Sequence, residues 1–241
     1  KYNTEYENNK IVKISGNPVK KRLYRGNEFN NPMSPIVPNV RITQERNVIE
    51  IARGCPNLCK FCHAGFYELP YRQYDYKTLS NQVMSMMENT GYDEITISSL
   101  SVSDYSDLVN LLNEVLPGLT EKGISISLPS LKVDKRTLPI IESISELRKT
   151  SLTFAIESGS IELREIANKQ VYEEDLMEIV DEIFSKGWRV LKLYFMLGLP
   201  GCDQYNEAEP IIRIIKKILS LAKSRKEIHV TLSPFVPKPH T

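Results

Sequence analysis

Leu152-Thr153-Phe154-Ala155-Ile156-Glu157, with Ser158-Gly159-Ser160 directly after it, alternates bulky apolar residues with small or polar ones and then breaks into a turn. Side chains along a β-strand point to opposite faces in turn, so Leu152, Phe154 and Ile156 share one face and Thr153, Ala155 and Glu157 the other. Five further stretches repeat the pattern. Their apolar faces read Ile49 and Ile51, Ile95 and Ile97, Ile124 and Ile126, Leu191, Leu193 and Phe195, then Ile228, Val230 and Leu232. Their opposite faces read Glu50 and Ala52, Thr96 and Ser98, Ser125 and Ser127, Lys192, Tyr194 and Met196, then His229, Thr231 and Ser233.

The six stretches, 48–53, 94–98, 124–128, 152–157, 190–196 and 228–233, are separated by helical patterns near 77–90, 104–116, 135–148, 161–167 with 173–186, and 206–223. Thr78 and Asp104 are candidate helix N-caps, and Gly91, Gly123 and Gly187 candidate stops. Strands alternating with helices predict a parallel sheet, and six such units predict an open, partial (β/α)6 barrel of the TIM type. The apolar faces must meet the helices, so the polar faces line the barrel interior. An ordinary barrel fills that interior with branched aliphatics, whereas this one presents groups that need hydrogen-bond partners. A cavity for a polar ligand is expected there.

Length and composition fit this architecture. The chain has 241 residues, 41% of them hydrophobic, enough to bury a large core as one domain over residues 47–241. Residues 1–46 carry Pro18, Pro32, Pro35 and Pro38 and many Asn, and read as an extended lead-in or linker with one edge strand. No run approaches a membrane span and no charged-then-apolar leader is present, so the reducing cytoplasm is the expected compartment. Net charge is +1, and the basic clusters Lys20-Lys21-Arg22, Lys216-Lys217 and Lys223-Ser224-Arg225-Lys226 are short, reading as solvated faces and giving no positive sign of RNA binding. The start at Lys1 and the stop after Thr241 suggest a piece of a longer protein.

The chemistry concentrates in Arg53-Gly54-Cys55-Pro56-Asn57-Leu58-Cys59-Lys60-Phe61-Cys62, a C-x3-C-x2-C run on the loop after the first strand. Thiolates gathered so closely bind a soft metal or pair with one another. A Cys3His zinc site with His63 is one alternative, although such sites usually draw ligands from two separated knuckles. A secreted disulfide scaffold would need a smaller, cysteine-richer chain. A ferredoxin-type cluster would need closer spacing and a fourth thiolate, and Cys202 is the only other candidate. Three cysteines on a four-iron cluster leave one iron free to hold a small molecule.

The run, with the aromatic Phe61 before its last cysteine, resembles the cluster loop of the radical S-adenosylmethionine superfamily. The resemblance implies an enzyme whose 4Fe-4S cluster on Cys55, Cys59 and Cys62 reductively cleaves S-adenosylmethionine and releases a deoxyadenosyl radical, with an electron donor such as flavodoxin or ferredoxin as partner. It implies cofactor contacts too. Ser98 and Ser99 stand where the superfamily often has Gly-Gly-Glu against the amino group; Glu157 stands where relatives contact the ribose; Lys169 occupies the place where relatives carry a basic residue, often Arg, that pairs with the carboxylate; and Tyr194, Met196 and Gly198 lie on the stretch beside the adenine. Pro35-Ile36-Val37-Pro38, the segment Ile126 to Asp134, the segment Gly187 to Pro200 and the closing Phe235 to Thr241 resemble a bacterial radical S-adenosylmethionine family often described as cobalamin-binding, related to methylthiotransferases and Elongator-type tRNA-modifying enzymes. By that resemblance a cobalamin domain would precede Lys1; it implies the chemistry and not the substrate, which stays open among RNA, protein and a metabolite. The alternative from another class is a non-catalytic zinc or iron-sulfur module serving a protein interaction. His63 reads as a spectator, His229 as a hydrogen-bonder in the interior, Trp188 as packing, and Cys202 as a thiol on the cluster's side of the sheet.

Overall fold

A computed structural model describes residues 3–8, 10–16, 21–24, 31–129, 131–145, 151–204, 206–222, 225–239 and 241. Pro18, Lys20, Ser130, residues 146–148 of the third expected helix, Lys223, Ser224 and His240 lie outside them. The strands are β1 (Asn3–Glu7), β2 (Lys10–Ser15), β3 (Asn47–Glu50), β4 (Ala52–Arg53), β5 (Arg72–Gln73), β6 (Glu94–Ser98), β7 (Ser125–Ser127), β8 (Leu152–Glu157), β9 (Val190–Leu197) and β10 (Glu227–Pro234). The helices are α1 (His63–Tyr67), α2 (Tyr76–Thr90), α3 (Leu108–Glu121), α4 (Thr137–Ser143), α5 (Ile161–Ile166), α6 (Glu173–Ser185) and α7 (Ala208–Leu221).

The expected β/α alternation is present. β3, β6 and β7 pair in parallel as one block and β8, β9 and β10 as another, and helix α4 packs against both α3 and α6 and so spans the two. Ile49, Ile95, Ile97, Phe154, Ile156, Leu191 and Leu193 are fully buried. Each contributes about 1.5–3 kcal/mol by leaving water. Their helical partners recur at heptad-like spacing, Leu111, Leu112, Val115 and Leu119 on α3 and Leu176, Ile179, Val180 and Ile183 on α6. Trp188 is buried at the helix-to-strand junction, as expected. The opposite faces are only partly covered, from Glu50 through Thr153 and Glu157 to Lys192, and the buried Thr96 hydroxyl has no protein partner.

Four local expectations need correction. The N-cap of α2 is Asp75, whose carboxylate accepts the Thr78 N–H at 2.8 Å, so the helix starts a turn before Thr78. Asp104 sits in a 3-10 turn, and α3 begins only at Leu108. On β10 the apolar face is covered only at Ile228: Val230 and Leu232 are exposed, and no helix follows that strand among the described residues. His229 is exposed there as well and lies 3.4 Å from Glu227 of its own strand instead of bonding within the interior.

The lead-in is more structured than one edge strand, since β1 and β2 form an antiparallel hairpin. It also guards an open edge. Asn31 is buried and takes both backbone groups of Glu50, accepting its N–H at 3.1 Å and donating to its carbonyl at 3.2 Å, in the manner of a neighbouring strand.

The turn between β8 and α5 is held from two sides. The buried Arg164 donates to the Ser158 and Gly159 carbonyls, and Gly159 lies so close to α7 that a Cβ would meet Ile211 N at 2.4 Å and the Pro210 carbonyl carbon at 2.6 Å. Those neighbours are backbone and cannot rotate away. Gly159→Ala is therefore expected to cost about 1–3 kcal/mol, as overpacking does. Urea unfolding measures it, and a loss below about 0.5 kcal/mol, the usual span of a neutral surface change, would show that the turn moves freely.

Candidate active site

A two-residue antiparallel ladder closes the neck of the cysteine loop, pairing Ala52 with Gln73 and Arg53 with Arg72. Gly54 follows with φ +83°, and a Cβ on it would lie 2.8 Å from the Glu68 carbonyl oxygen and 2.9 Å from that of Pro70. Glycine alone lets the two arms approach so closely. Within the loop Cys55, Cys59 and Cys62 are half-buried and free of disulfides, and Cys62 opens α1, its sulfur accepting the Gly65 N–H at 3.4 Å.

All three cysteines line a cavity of about 520 Å³ at the C-terminal ends of the strands, where Phe61, Glu157, Lys169 and Tyr194 also reach. A larger groove of about 810 Å³ lies outside the barrel between α5 and α7 and contains no cysteine, so size alone does not mark the site. Ser98 and Ser99 line an adjoining cavity of about 630 Å³ with Glu50 and Arg53, and Leu100 forms the partition between the two. Met196 and Gly198 lie beyond the lining of the cysteine cavity, and the Gly198 N–H is taken by the Glu207 carboxylate at 3.0 Å. Cys202 is also outside that lining, in a 3-10 turn after β9. The Pro239 carbonyl accepts from His63 Nδ1, 2.9 Å away.

Glu157 reaches the cavity through a break in the ladder. The pairing of β8 with β9 slips between Ala155 and Glu157, and Glu157 has φ +70°, a left-handed conformation that costs a non-glycine residue on the order of 1–3 kcal/mol. Its carboxylate lies 3.4 Å from the Lys169 ammonium, both side chains largely buried. The two residues expected to hold opposite ends of one ligand are thus a direct ion pair.

Residues that the sequence reading passed over fix the loop. Asn168, left-handed at φ +53°, donates its side-chain N–H groups to the carbonyls of Asn57 and Leu58, each at 3.0 Å, and Leu58 is itself left-handed at φ +49°. The Lys60 N–H adds a bond to the Ala167 carbonyl at 2.9 Å. On the other side Asp104, its side chain 4% exposed, accepts from Asn57 at 2.5 Å and Ser101 at 2.7 Å and pairs with Arg136 at 2.8 Å. Burial works against its ionisation, but the hydrogen bonds from Ser101 and Asn57 and the charges of Lys132 and Arg136 prevail and hold its carboxyl below the usual range. The one available signal was the tolerance of Asn for left-handed backbone at position 168.

The donor set, three free cysteines lining one cavity, suits a thiolate-ligated iron-sulfur cluster. Among the described residues no three His, Cys, Asp or Glu side chains close on a single-ion site. The three cysteines line one cavity, and the Cys55 and Cys62 sulfurs receive N–H donors, as thiolates on iron-sulfur clusters do. Burial pushes the Cys59 thiol up, with the Cys55 and Cys62 sulfurs adding to the shift and Lys169 opposing it, so metal binding there must displace a proton.

A sequence profile of the Radical SAM superfamily matches residues 49–213. The chain belongs to that superfamily. Members of the radical SAM superfamily are enzymes that use a 4Fe-4S cluster with S-adenosylmethionine and generally need an electron donor. An uncharacterised protein of Methanocaldococcus jannaschii is 31% identical over 194 residues, 80% of this chain and 41% of that one. The tRNA-2-methylthio-N(6)-dimethylallyladenosine synthase of Clostridium novyi is 23% identical over 195 residues, 76% of this chain and 42% of that enzyme. The chain therefore spans about two fifths of the length of these relatives. Among solved structures, the radical S-adenosylmethionine methyltransferase TsrM of Kitasatospora setae, with tryptophan and a cofactor analogue bound, superimposes with a TM-score of 0.61 at 13% identity, covering 78% of this chain and 35% of that one. Coproporphyrinogen III oxidase of Escherichia coli gives 0.55 at 12% identity, covering 80% and 45%. At such identities these structures establish the shared fold, the radical SAM partial barrel.

The Asn168 clasp yields a test of its own. Asn168→Gly keeps the left-handed conformation and removes the two side-chain bonds, so it is expected to destabilise the protein by about 1–3 kcal/mol, the cost of leaving the part-buried Asn57 carbonyl unpaired. Urea unfolding of the metal-free protein reads the change, and an unaltered midpoint would show that the clasp contributes nothing.

Proposed function

We propose that this chain reductively cleaves S-adenosylmethionine at a 4Fe-4S cluster on Cys55, Cys59 and Cys62, and that the radical acts on a nucleotide in RNA, in methyl or methylthio transfer. The observation that carries this reading is the single cavity shared by the three cysteines, Glu157 and Lys169. Bound there, the cluster supplies the electron that breaks the sulfonium bond and releases a deoxyadenosyl radical. The chain's own residues bind and orient. Glu157 accepts the two ribose hydroxyls, a pairing that suits a carboxylate with two acceptor oxygens. Lys169 meets the cofactor carboxylate as a point charge, leaving Glu157 for the sugar. Phe61 and Tyr194 give the cavity apolar walls that restrict water. Ser98 and Ser99, in the adjoining cavity, serve the amino group or the substrate across Leu100. Cobalamin, where used, belongs to sequence outside this chain.

The RNA assignment is supported by the named activity of the Clostridium novyi relative. No described helix is long and apolar enough to cross a membrane. We place the enzyme in the cytoplasm, with flavodoxin or ferredoxin as its reductant. Nucleoside analysis of RNA from cells with and without the gene tests the substrate: loss of one modified nucleoside is expected, and an unchanged profile would sink the RNA reading.

Two substitutions test the site. Cys59→Ala is expected to leave the fold intact, because the barrel's outer core does not include the loop, and to abolish iron uptake on anaerobic reconstitution. Wild-type iron content would remove Cys59 from the ligand set. Glu157→Ala loses charge-assisted bonds worth about 1.5–3 kcal/mol, so affinity for S-adenosylmethionine should fall roughly ten- to a hundredfold. The cluster spectrum should not change. Unaltered affinity with an intact cluster would show that Glu157 does not hold the ribose.

A further inference from the structure

Asn57 stands between the first two cysteines and is engaged at every polar atom of its side chain. Its amide nitrogen donates to the Cys55 sulfur at 3.2 Å and to the Asp104 carboxylate at 2.5 Å. The Lys132 ammonium donates to its amide oxygen at 2.7 Å. An ammonium can only donate and a carboxylate can only accept, so these two neighbours fix which end of the amide is nitrogen, and the remaining N–H is aimed at sulfur. The backbone carbonyl of Asn57 is occupied as well, by Asn168 at 3.0 Å.

Those partners belong to separate parts of the fold. Asp104 follows β6, Lys132 follows β7 and Asn168 follows α5, so one residue ties the cysteine loop to three others. Lys132 also lies 3.7 Å from Asp104 and 3.6 Å from Asp134, and Arg136 bonds to both carboxylates, so the frame around Asn57 is itself braced.

An N–H directed at a ligating sulfur draws electron density from it and favours the more reduced, more negative cluster, and outer-shell donors of this kind tune iron-sulfur potentials. We propose that Asn57, oriented by Asp104 and Lys132, is a positioning residue that holds Cys55 in its ligating position and raises the reduction potential of the cluster through its hydrogen bond to that sulfur. This rests on the reading of Cys55, Cys59 and Cys62 as the cluster ligands.

The test compares wild type, Asn57→Ala and Asn168→Gly, each reconstituted anaerobically with iron and sulfide. Iron content, the midpoint potential from an electron paramagnetic resonance titration, and amide hydrogen exchange of residues 55–62 in the metal-free proteins are read. Asn57→Ala is expected to shift the reduction equilibrium about tenfold toward the oxidised cluster, ~59 mV for a one-electron couple. Its loop amides should exchange at least about tenfold faster, the factor that corresponds to one net hydrogen bond. Asn168→Gly loosens the same loop without touching a sulfur, so its potential should stay within about twofold of the wild-type equilibrium, well under the ~30 mV that a threefold change would give. An Asn57→Ala protein that folds and takes up no iron supports the positioning role. Full iron with wild-type potential and wild-type loop exchange overturns the proposal. A potential lowered equally in both variants also overturns it, because loosening alone would then account for the shift. Failure of the underlying reading looks different: the wild-type protein itself would carry no iron.

Discussion

The pleat of six parallel strands is the constraint on which everything else depends. Because neighbouring residues must face opposite ways, burying Ile95, Phe154 and Leu193 beneath helices commits Thr96, Thr153 and Lys192 to the other side. A one-residue slip would reverse both faces at once. Hydrophobic burial on the outside thus fixes a polar interior to which the core owes little beyond Ala52. The catalytic surface is free to vary chemically because the load is carried behind it.

This division shaped what was legible in the sequence. β6 and β8 occupy the stretches that alternation marked, since period and burial there report the same physical event. The cysteine loop was legible from spacing. What escaped were contacts between loops far apart along the chain: Asn57 meets Asp104 across 47 residues, Lys132 across 75 and Asn168 across 111. No local pattern encodes such meetings, and Asp104 accordingly resembled a helix cap, a role that Asp107 takes by position. Val230 and Leu232 misled for the opposite reason, because alternation identifies an apolar face without saying what lies against it.

The site is assembled under restraint. Leu58, Glu157 and Asn168 all adopt left-handed backbone, and all three border the same cavity. Such conformations persist only where surrounding contacts outweigh their cost. Here the compensation is visible in the Asn168 bonds, the Asp104 frame and the packing of Gly159 against α7. Local strain at the cavity and dense hydrogen bonding around it are therefore two aspects of one arrangement.

The uncovered flank of β10 has a bearing on how molecules of this chain meet one another. A strand whose outer ladder edge has no partner among the described residues, with Val230 and Leu232 toward solvent, is a template on which a further sheet can register, by backbone bonds along the edge and by apolar contact across the face. Glu227 and His229 put only limited charge in the way, and the overall charge of +1 supplies little mutual repulsion. Charged residues placed along this flank are the natural way to blunt such pairing.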